Sequence, residues 1–424
     1  MNEHTMLVAN TILVVTYILL GLERIPRVVT ALLGAMLMIL LGVVDQKTAL
    51  SHVDWNVIFL LVGMMILVNI LQQTGALRWL GLYTAKKAGG DGMQLMIALA
   101  LLTAGLSALL DNVTTVLFIG SATCAMAREL RINPVPFLIT QALASNIGGA
   151  ATLIGDPPNL MIGSAAHLGF DAFLLNVAPV ILIILPVCIL LMGWIYKNDL
   201  ALPPETHDAM AKLSIDGVIT DRPLMRKALV VLAFVTAGFV FHHALGLEAG
   251  TIALSGAAVL MLFERKQDVW NDVEWTTIFF FIGLFMVVGA VEEVGTIHEL
   301  SRHLVAASQG SLSAMTMAVL WGSGLLSALI DNIPYTATMI PLLRELAAAR
   351  HGATIEPVWW ALSLGACLGG NGTLVGATAN IMAADLALRH GHPMRIWDFM
   401  RGGLVVMLAS LLISTLYLWL RYLV

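Results

Sequence analysis

Apolar stretches long enough to cross a bilayer recur from one end of the chain to the other, and none of the segments between them is long enough for a soluble domain. A hydrocarbon core of about 30 Å asks for roughly 20 apolar residues of helix. Such segments fall at residues 6–22, 27–44, 55–73, 93–110, 113–128, 135–166, 173–196, 228–245, 249–263, 275–292, 312–330, 333–349, 357–384 and 402–422. Backbone groups in lipid must bond within protein, which predicts an all-α polytopic membrane protein. Composition agrees: 59% of the 424 residues are hydrophobic and 12% charged, too few charges to cover a water-soluble surface. A formal net charge of -5 leaves no basic excess for a phosphate backbone, so nucleic acid is not an expected partner. The run from Met6 has no basic residue ahead of it and no small-residue cleavage site, and reads as a first span rather than a removable signal. Cys124, Cys188 and Cys367 stand far apart without metal-ligand spacing.

The longest polar stretch, 198–227, separates two halves that repeat. Val53-Asp54-Trp55 aligns with Val273-Glu274-Trp275 at an offset of 220, and Ser107 to Asn112 meets Ser327 to Asn332 at the same offset. One residue further on, Gly148 to Gly155 meets Gly369 to Gly376, and Asn159-Leu160-Met161 meets Asn380-Ile381-Met382. Three motifs in one order predict a duplication: repeats 1–197 and 228–424 around a cytoplasmic linker, 198–227. If 93–128 and 312–349 are hairpins that enter and leave on one side, each half holds five spans, about ten in all, and the second half is inverted. An N-terminus outside then places 17 of the 22 lysines and arginines in the cytoplasm, leaving Lys47, Arg302, Arg344, Arg350 and Arg421 outside. The expected location is a bacterial inner membrane.

Polar motifs inside these segments carry the chemistry. Asp111-Asn112 and Asp331-Asn332 each lie between two apolar runs, at the tip of a hairpin within or near the bilayer. An ionisable residue there marks an ion or proton pathway by default, and Asp-Asn also caps the following helix; a cap facing a cavity does both. Thr115 and Thr336 add hydroxyls nearby. Asn146 to Asn159, with three glycines and Pro157-Pro158, cannot be one continuous helix, and Gly369 to Asn380 repeats the break without its Asp-Pro-Pro. Such breaks are tolerated where they are buried or line a cavity, which is how transporters build midplane sites. The expected substrate-binding residues are Asn112, Thr115, Asn146, Gly148, Gly149, Thr152, Asn159, Asn332, Thr336, Asn371, Thr373, Thr378 and Asn380. Asp111 and Asp331 are the first candidates for reversible protonation and Asp156 the third. His167, His242, His243, His298 and His303 fall at or near span ends and read as interfacial residues. No metal site, cofactor or catalytic residue is read from the chain, which also lacks a phosphate-binding Gly-x-x-x-x-Gly-Lys-Ser/Thr run.

Asp-Asn-Val-Thr-Thr at 111–115, the Asn-Ile-Gly-Gly-Ala-Ala-Thr-Leu-Ile-Gly-Asp-Pro-Pro-Asn run at 146–159 and Asp-Asn-Ile-Pro-Tyr-Thr at 331–336 resemble the arsenite permease and pink-eyed-dilution branch of the ion transporter superfamily. The likeness spans nearly the whole chain and is strongest to the arsenical pump membrane protein family. It implies an inverted-repeat transporter that exports trivalent arsenite or antimonite in exchange for protons, in some bacteria with a soluble arsenite-stimulated ATPase as partner. Relatives in the superfamily exchange sodium for protons or take up citrate and dicarboxylates.

Segments 111–115, 146–159, 331–338 and 369–380 contain no Lys, Arg or His. An anionic dicarboxylate would have to rely on helix N-termini and co-bound cations, whereas neutral As(OH)3 suits amides, hydroxyls and free backbone groups. Arsenite export is therefore the leading expectation, with a sodium/proton antiporter, a carboxylate transporter of the same superfamily and a channel as alternatives. A neutral substrate carries no charge, so gradient energy has to enter through a titrating group. Asp111→Asn and Asp331→Asn are expected to leave exchange of substrate intact and to abolish uphill export in proteoliposomes. Unchanged uphill export in the double variant would make both residues caps alone.

Overall fold

With water excluded, the apolar segments close their backbone bonds as helix, and short polar residues decide where helices begin. Asp54, Asp91, Asp111 and Asp221 accept from the amides of Val57, Gln94, Thr114 and Leu224, one N-cap each. The computed structural model describes residues 3–22, 24–203, 205–212, 214–264, 267–307, 311–349 and 354–424. Arg265 and Lys266, assigned to the cytoplasm above, and Arg350, assigned outside, lie outside the described residues.

The first half runs α1 (Glu3–Leu22), α2 (Arg27–Leu40), α3 (Gln46–Ser51), α4 (Trp55–Gln73), α5 (Ala76–Lys87), α6 (Gly92–Ser107), α7 (Asn112–Leu130), α8 (Val135–Ala150), α9 (Pro157–Ala166), α10 (Phe170–Asn176) and α11 (Ala178–Ile195). After α12 (Glu205–Lys212) come α13 (Arg222–Val240), α14 (His242–Leu245), α15 (Ala249–Met261), α16 (Trp275–Glu293), α17 (Thr296–Ala307) and α18 (Leu312–Ser327). The chain ends with α19 (Asn332–Ala349), α20 (Glu356–Gly369), α21 (Thr378–Arg389) and α22 (Ile396–Leu418). Among the described residues seven helices are long and apolar enough to cross a membrane: α1, α4, α7, α11, α13, α16 and α22 with its last turn. The protein is an all-α, multi-pass membrane protein.

Helices of the two halves keep register. α4 and α16 begin at Trp55 and Trp275, α7 and α19 at Asn112 and Asn332, α9 and α21 at Pro157 and Thr378. α5 and α17, too polar to be read as spans, begin at Ala76 and Thr296, each just after its long helix. Within the polar stretch 198–227, α13 starts as early as Arg222 because Asp221 caps it. Just before it, Thr220 docks on the end of α4, its amide on Thr74 O at 2.9 Å and its hydroxyl on Gln73 O at 3.1 Å.

Two bodies emerge from the packing. In one, α4 lies on α15 and α16 on α2, with α1 and α13 alongside. In the other, α6 packs on α8 and α18 on α20, α7 meets α21 and α19 meets α9, and α11 crosses α22. The first body is joined through glycine: a Cβ on Gly63 would come within 2.6 Å of the Ala253 backbone, and one on Gly283 within 2.8 Å of Ala31. Small residues permit such approach in membranes, where dispersion contacts and not exclusion of water hold helices together. Gly63→Leu and Gly283→Leu should each destabilise the protein by about 1–3 kcal/mol through overpacking, read as a lower melting temperature in detergent, while Leu at Gly21, which has nothing within 4 Å, should change little.

Candidate functional site

Both hairpins stop at Asp-Asn. Asp111 accepts from the Thr114 amide at 2.8 Å, and Asp331 from the Ile333 amide at 3.1 Å, so each carboxylate closes one helix gap and opens the next helix. Capping leaves the neighbouring asparagine free to turn inward. Asn112 and Asn332 both donate to the carboxylate of Asp156, at 3.3 Å to the same oxygen, Oδ1, and Asn332 also reaches Oδ2 at 3.4 Å. Asp156 is fully buried at the start of α9 and is the point where the two hairpin tips meet the first helix break.

The breaks themselves are tied by asparagines. Asn159 donates to Ala150 O at 3.0 Å and Thr152 O at 2.9 Å, and Asn380 donates to Gly370 O at 2.8 Å and Thr373 O at 2.9 Å. The side chains of Thr152 and Thr373 reach across to hairpin carbonyls, those of Ala108 and Ala328. Asn146 links the two breaks, donating to Asn371 at 2.9 Å and Asn380 at 3.0 Å, and it accepts from Asn112 at 3.3 Å. On the other side Ser363 donates to Asn159 at 2.7 Å, with Cys367 at 3.6 Å.

A cavity of about 400 Å³ opens above this network. It is lined by Asp111, Asn112, Asp156, Pro157, Asn332 and Thr378, closed on the opposite wall by Leu61, Met65 and Phe280, and rimmed by the exposed Glu274 and Thr276. Of the residues expected to bind substrate, Asn112, Asn332 and Thr378 line it. Asn146, Asn159, Asn371 and Asn380 are buried beneath, and so are Thr115 and Thr336. Thr115 bonds the Asp111 carbonyl at 2.9 Å, whereas the Thr336 hydroxyl and the Asn371 amide nitrogen are buried with no hydrogen-bond partner among the described residues. Gly148 and Gly149 face protein and not the cavity: a Cβ at Gly148 would lie 2.2 Å from Ala104 O of α6, and one at Gly149 2.6 Å from Gly155 O. They seat the hairpin on the broken helix.

Sequence reading finds no basic side chain in the site segments, yet the fold brings one from α2. Arg27 Nη1 lies 2.7 Å from Asp331 Oδ2 and 2.9 Å from the Thr378 hydroxyl, which itself donates to Asp331 at 3.1 Å. The Asp331 side chain is only 9% exposed and that of Arg27 25%, so the pair is largely shielded from solvent. Arg27 belongs to the α2–α16 body and Asp331 to a hairpin tip, so this ion pair joins the two bodies at the cavity. The surrounding acids, Asp111, Asp156, Glu274 and Asp331, outnumber it.

Residues 17–365 match the citrate transporter family, CitMHS. The chain is 41% identical over 424 residues to an uncharacterized transporter of Mycobacterium tuberculosis, covering 98% of this chain and 99% of that protein. A 46 kDa membrane protein of Mycobacterium leprae is 39% identical over 424 residues, with the same coverage. The P protein of Homo sapiens is 32% identical over 508 aligned residues, and this chain spans 60% of its length. The crystal structure of the Alcanivorax borkumensis YdaH transporter has the same fold, with a TM-score of 0.61 over 99% of both chains at 16% identity. The family so shown is that of the citrate transporters; membership of the arsenite permeases, which the motifs resemble, is not shown. A capped pair of hairpin tips, two asparagine-tied helix breaks and a largely apolar cavity with Asp111, Asn112, Asp156 and Asn332 in its lining are thus the parts of a secondary transporter, not an enzyme, and the chain belongs to the citrate transporter family.

Proposed function

We propose that the chain is a cation-coupled, alternating-access transporter of a small polycarboxylate. The observation that carries the coupling is Asp156, a fully buried carboxylate held by the tip amides of both hairpins. A proton or metal cation bound there changes what Asn112 and Asn332 can donate to, so occupancy of one site is felt by both hairpins together. The family description supports a carboxylate substrate. Arg27, on the cavity wall beside Thr378 and the N-terminus of α21, supplies the side-chain charge to receive one. Four acids surround this single arginine, so a bare polyanion would be repelled and is expected to travel with protons or other cations.

The repeats 1–197 and 228–424, related by a two-fold axis in the membrane plane with 198–227 as cytoplasmic linker and the N-terminus outside, complete this reading. In that orientation the rim at Glu274 and Thr276 faces the cytoplasm. Export of arsenite, with protons returning and a soluble ATPase as partner, is a second reading. It is favoured by the same acid excess, because neutral As(OH)3 meets no repulsion and suits the amides of Asn112 and Asn332.

Proteoliposomes loaded with citrate or arsenite under imposed proton and sodium gradients decide between them. Gradient-driven citrate accumulation supports the first reading, and arsenite flux indifferent to citrate supports the second. Asp156→Asn keeps shape and polarity, so it should retain substrate counterflow and lose gradient-driven accumulation. Arg27→Gln should leave Asp331 uncompensated and cost about 1–3 kcal/mol of stability. Adding Asp331→Asn should recover most of that loss, a coupling measurable as a double-mutant cycle on melting temperature.

A further inference from the structure

A second cavity, of about 340 Å³, lies where the end of α9 and the start of α10 meet the α13–α15 corner, and it includes Ser164, His167, His242, His243 and Glu248 in its lining. At its edge Asp171 of α10 and His242 and His243 of α14 bring a carboxylate and two imidazoles together, with one ligand atom of each within 4.8 Å of the others. Read along the sequence, these histidines look like separate interfacial residues; the fold makes them one cluster.

Three observations fix the donor atoms. His242 Nδ1 is 3.0 Å from Phe239 O, a bond in which the ring nitrogen donates, so Nε2 keeps its lone pair. Asp171 Oδ1 is buried with no hydrogen-bond partner among the described residues, an acceptor left without the proton or cation that a buried carboxylate oxygen requires. Gly169 shows that both face one point: a Cβ there would sit 2.5 Å from Asp171 Oδ1 and 2.8 Å from His242 Nε2. The His243 ring stands with its centroid 3.9 Å from that of His242, and as the exposed member it is the one free to swing in.

We propose that Asp171, His242 and His243 form a site for a divalent metal of the borderline class, Zn2+ foremost. Two neutral imidazoles and one carboxylate suit such ions better than Mg2+ or Ca2+, which prefer oxygen ligands throughout. Ligation at about 2.0–2.1 Å draws donor atoms to roughly 3.3 Å of one another in a tetrahedron, a closing motion that His243 supplies, with water in the fourth position. The site also bridges the two bodies: α13 belongs with α4 and α15, while α10 leads from the broken helix to α11, which packs on α8. Bound metal would therefore tie the broken-helix body to the other and hold this conformation. That consequence rests on the alternating-access reading above; the metal site does not.

The test is calorimetric titration of Zn2+ into the full chain purified without a histidine tag, with Co2+ absorption as a second readout. One metal per chain is expected, with visible Co2+ bands of a low-coordinate N/O site. Asp171→Asn, His242→Ala and His243→Ala should each weaken binding by at least about tenfold. His243 is exposed, so His243→Ala should keep the metal-free melting temperature and serves as the variant that cannot fail by misfolding. Absence of binding to the parent chain, or binding unchanged in His243→Ala and Asp171→Asn, would overturn the site. In proteoliposomes Zn2+ should slow substrate flux in the parent chain and not in His243→Ala; binding without any slowing would overturn the clamp while leaving the site in place.

Discussion

Two helices broken inside a membrane leave carbonyls that water cannot reach, and the rest of this structure depends on how those carbonyls are satisfied. Asn159 and Asn380 do it in the same way, each side-chain amide bonding two carbonyls of its own break. An unpaired buried acceptor would cost about 1–3 kcal/mol apiece, so the four bonds together are what lets the chain hold extended backbone at that depth. Once the amide nitrogens are committed, the amide oxygens are fixed in direction. Asn380 Oδ1 then receives Asn146, and Asn159 Oδ1 receives Ser363. The broken helices are thereby locked to each other independently of the hairpins.

The hairpins are added to this frame through backbone carbonyls at matching places. Thr152 and Thr373 bond Ala108 and Ala328, and Ser107 and Ser327 bond the carbonyls of Ser145 and Ala366. Each hairpin and its broken helix form one unit with little freedom between its parts. Freedom remains between the units and the α2–α16 and α4–α15 pairs, where polar ties among the described residues are few. Arg27 with Asp331 is one such tie, an ion pair at 2.7 Å largely shielded from solvent.

Much of this is legible in the sequence because the duplication writes it twice. Asp-Asn at two hairpin tips, and Gly-Gly followed by a late Asn at two breaks, stand out as repeats in the order of residues alone; hydropathy reads as about ten spans, whereas among the described residues seven helices are long and apolar enough to cross a membrane and α2, α6, α15 and α18 are shorter. Arg27 is not legible as a site residue. It stands 304 residues from Asp331, and a basic residue in a short loop already has an explanation in the positive-inside rule. The one hint is its place directly after Pro26 at the start of an apolar run. α5 and α17 escape for a different reason: their Lys, Arg, His and Glu residues take them below any spanning threshold, and helices that lie beside spans leave no hydropathy peak. Gly148 and Gly149 look like substrate contacts in sequence because glycine frees backbone groups, but the nearest atoms to their would-be Cβ positions belong to protein backbone.

The duplication is also broken where it matters most. At the register that pairs Asn159 with Asn380, Asp156 pairs with Ala377, and Asn146 with Cys367. A strict two-fold would set two carboxylates near the axis, both within reach of Asn112 and Asn332, and their repulsion in a low-dielectric site would be several kcal/mol at contact distances of about 4 Å. One carboxylate shared by both tips removes that repulsion and makes a single charge answer to both halves. The asymmetry extends to the hydrogen bonds: Asn146 offers two strong donors to the second break, where Cys367 offers the first break only a weak one at 3.6 Å. The first break is tied instead through Ser363, which donates to Asn159 at 2.7 Å, and through Asp156, which receives Asn112 and Asn332. The one carboxylate of the broken duplication therefore sits where both hairpin tips and the first break meet, so that any change in its charge would bear on all three together.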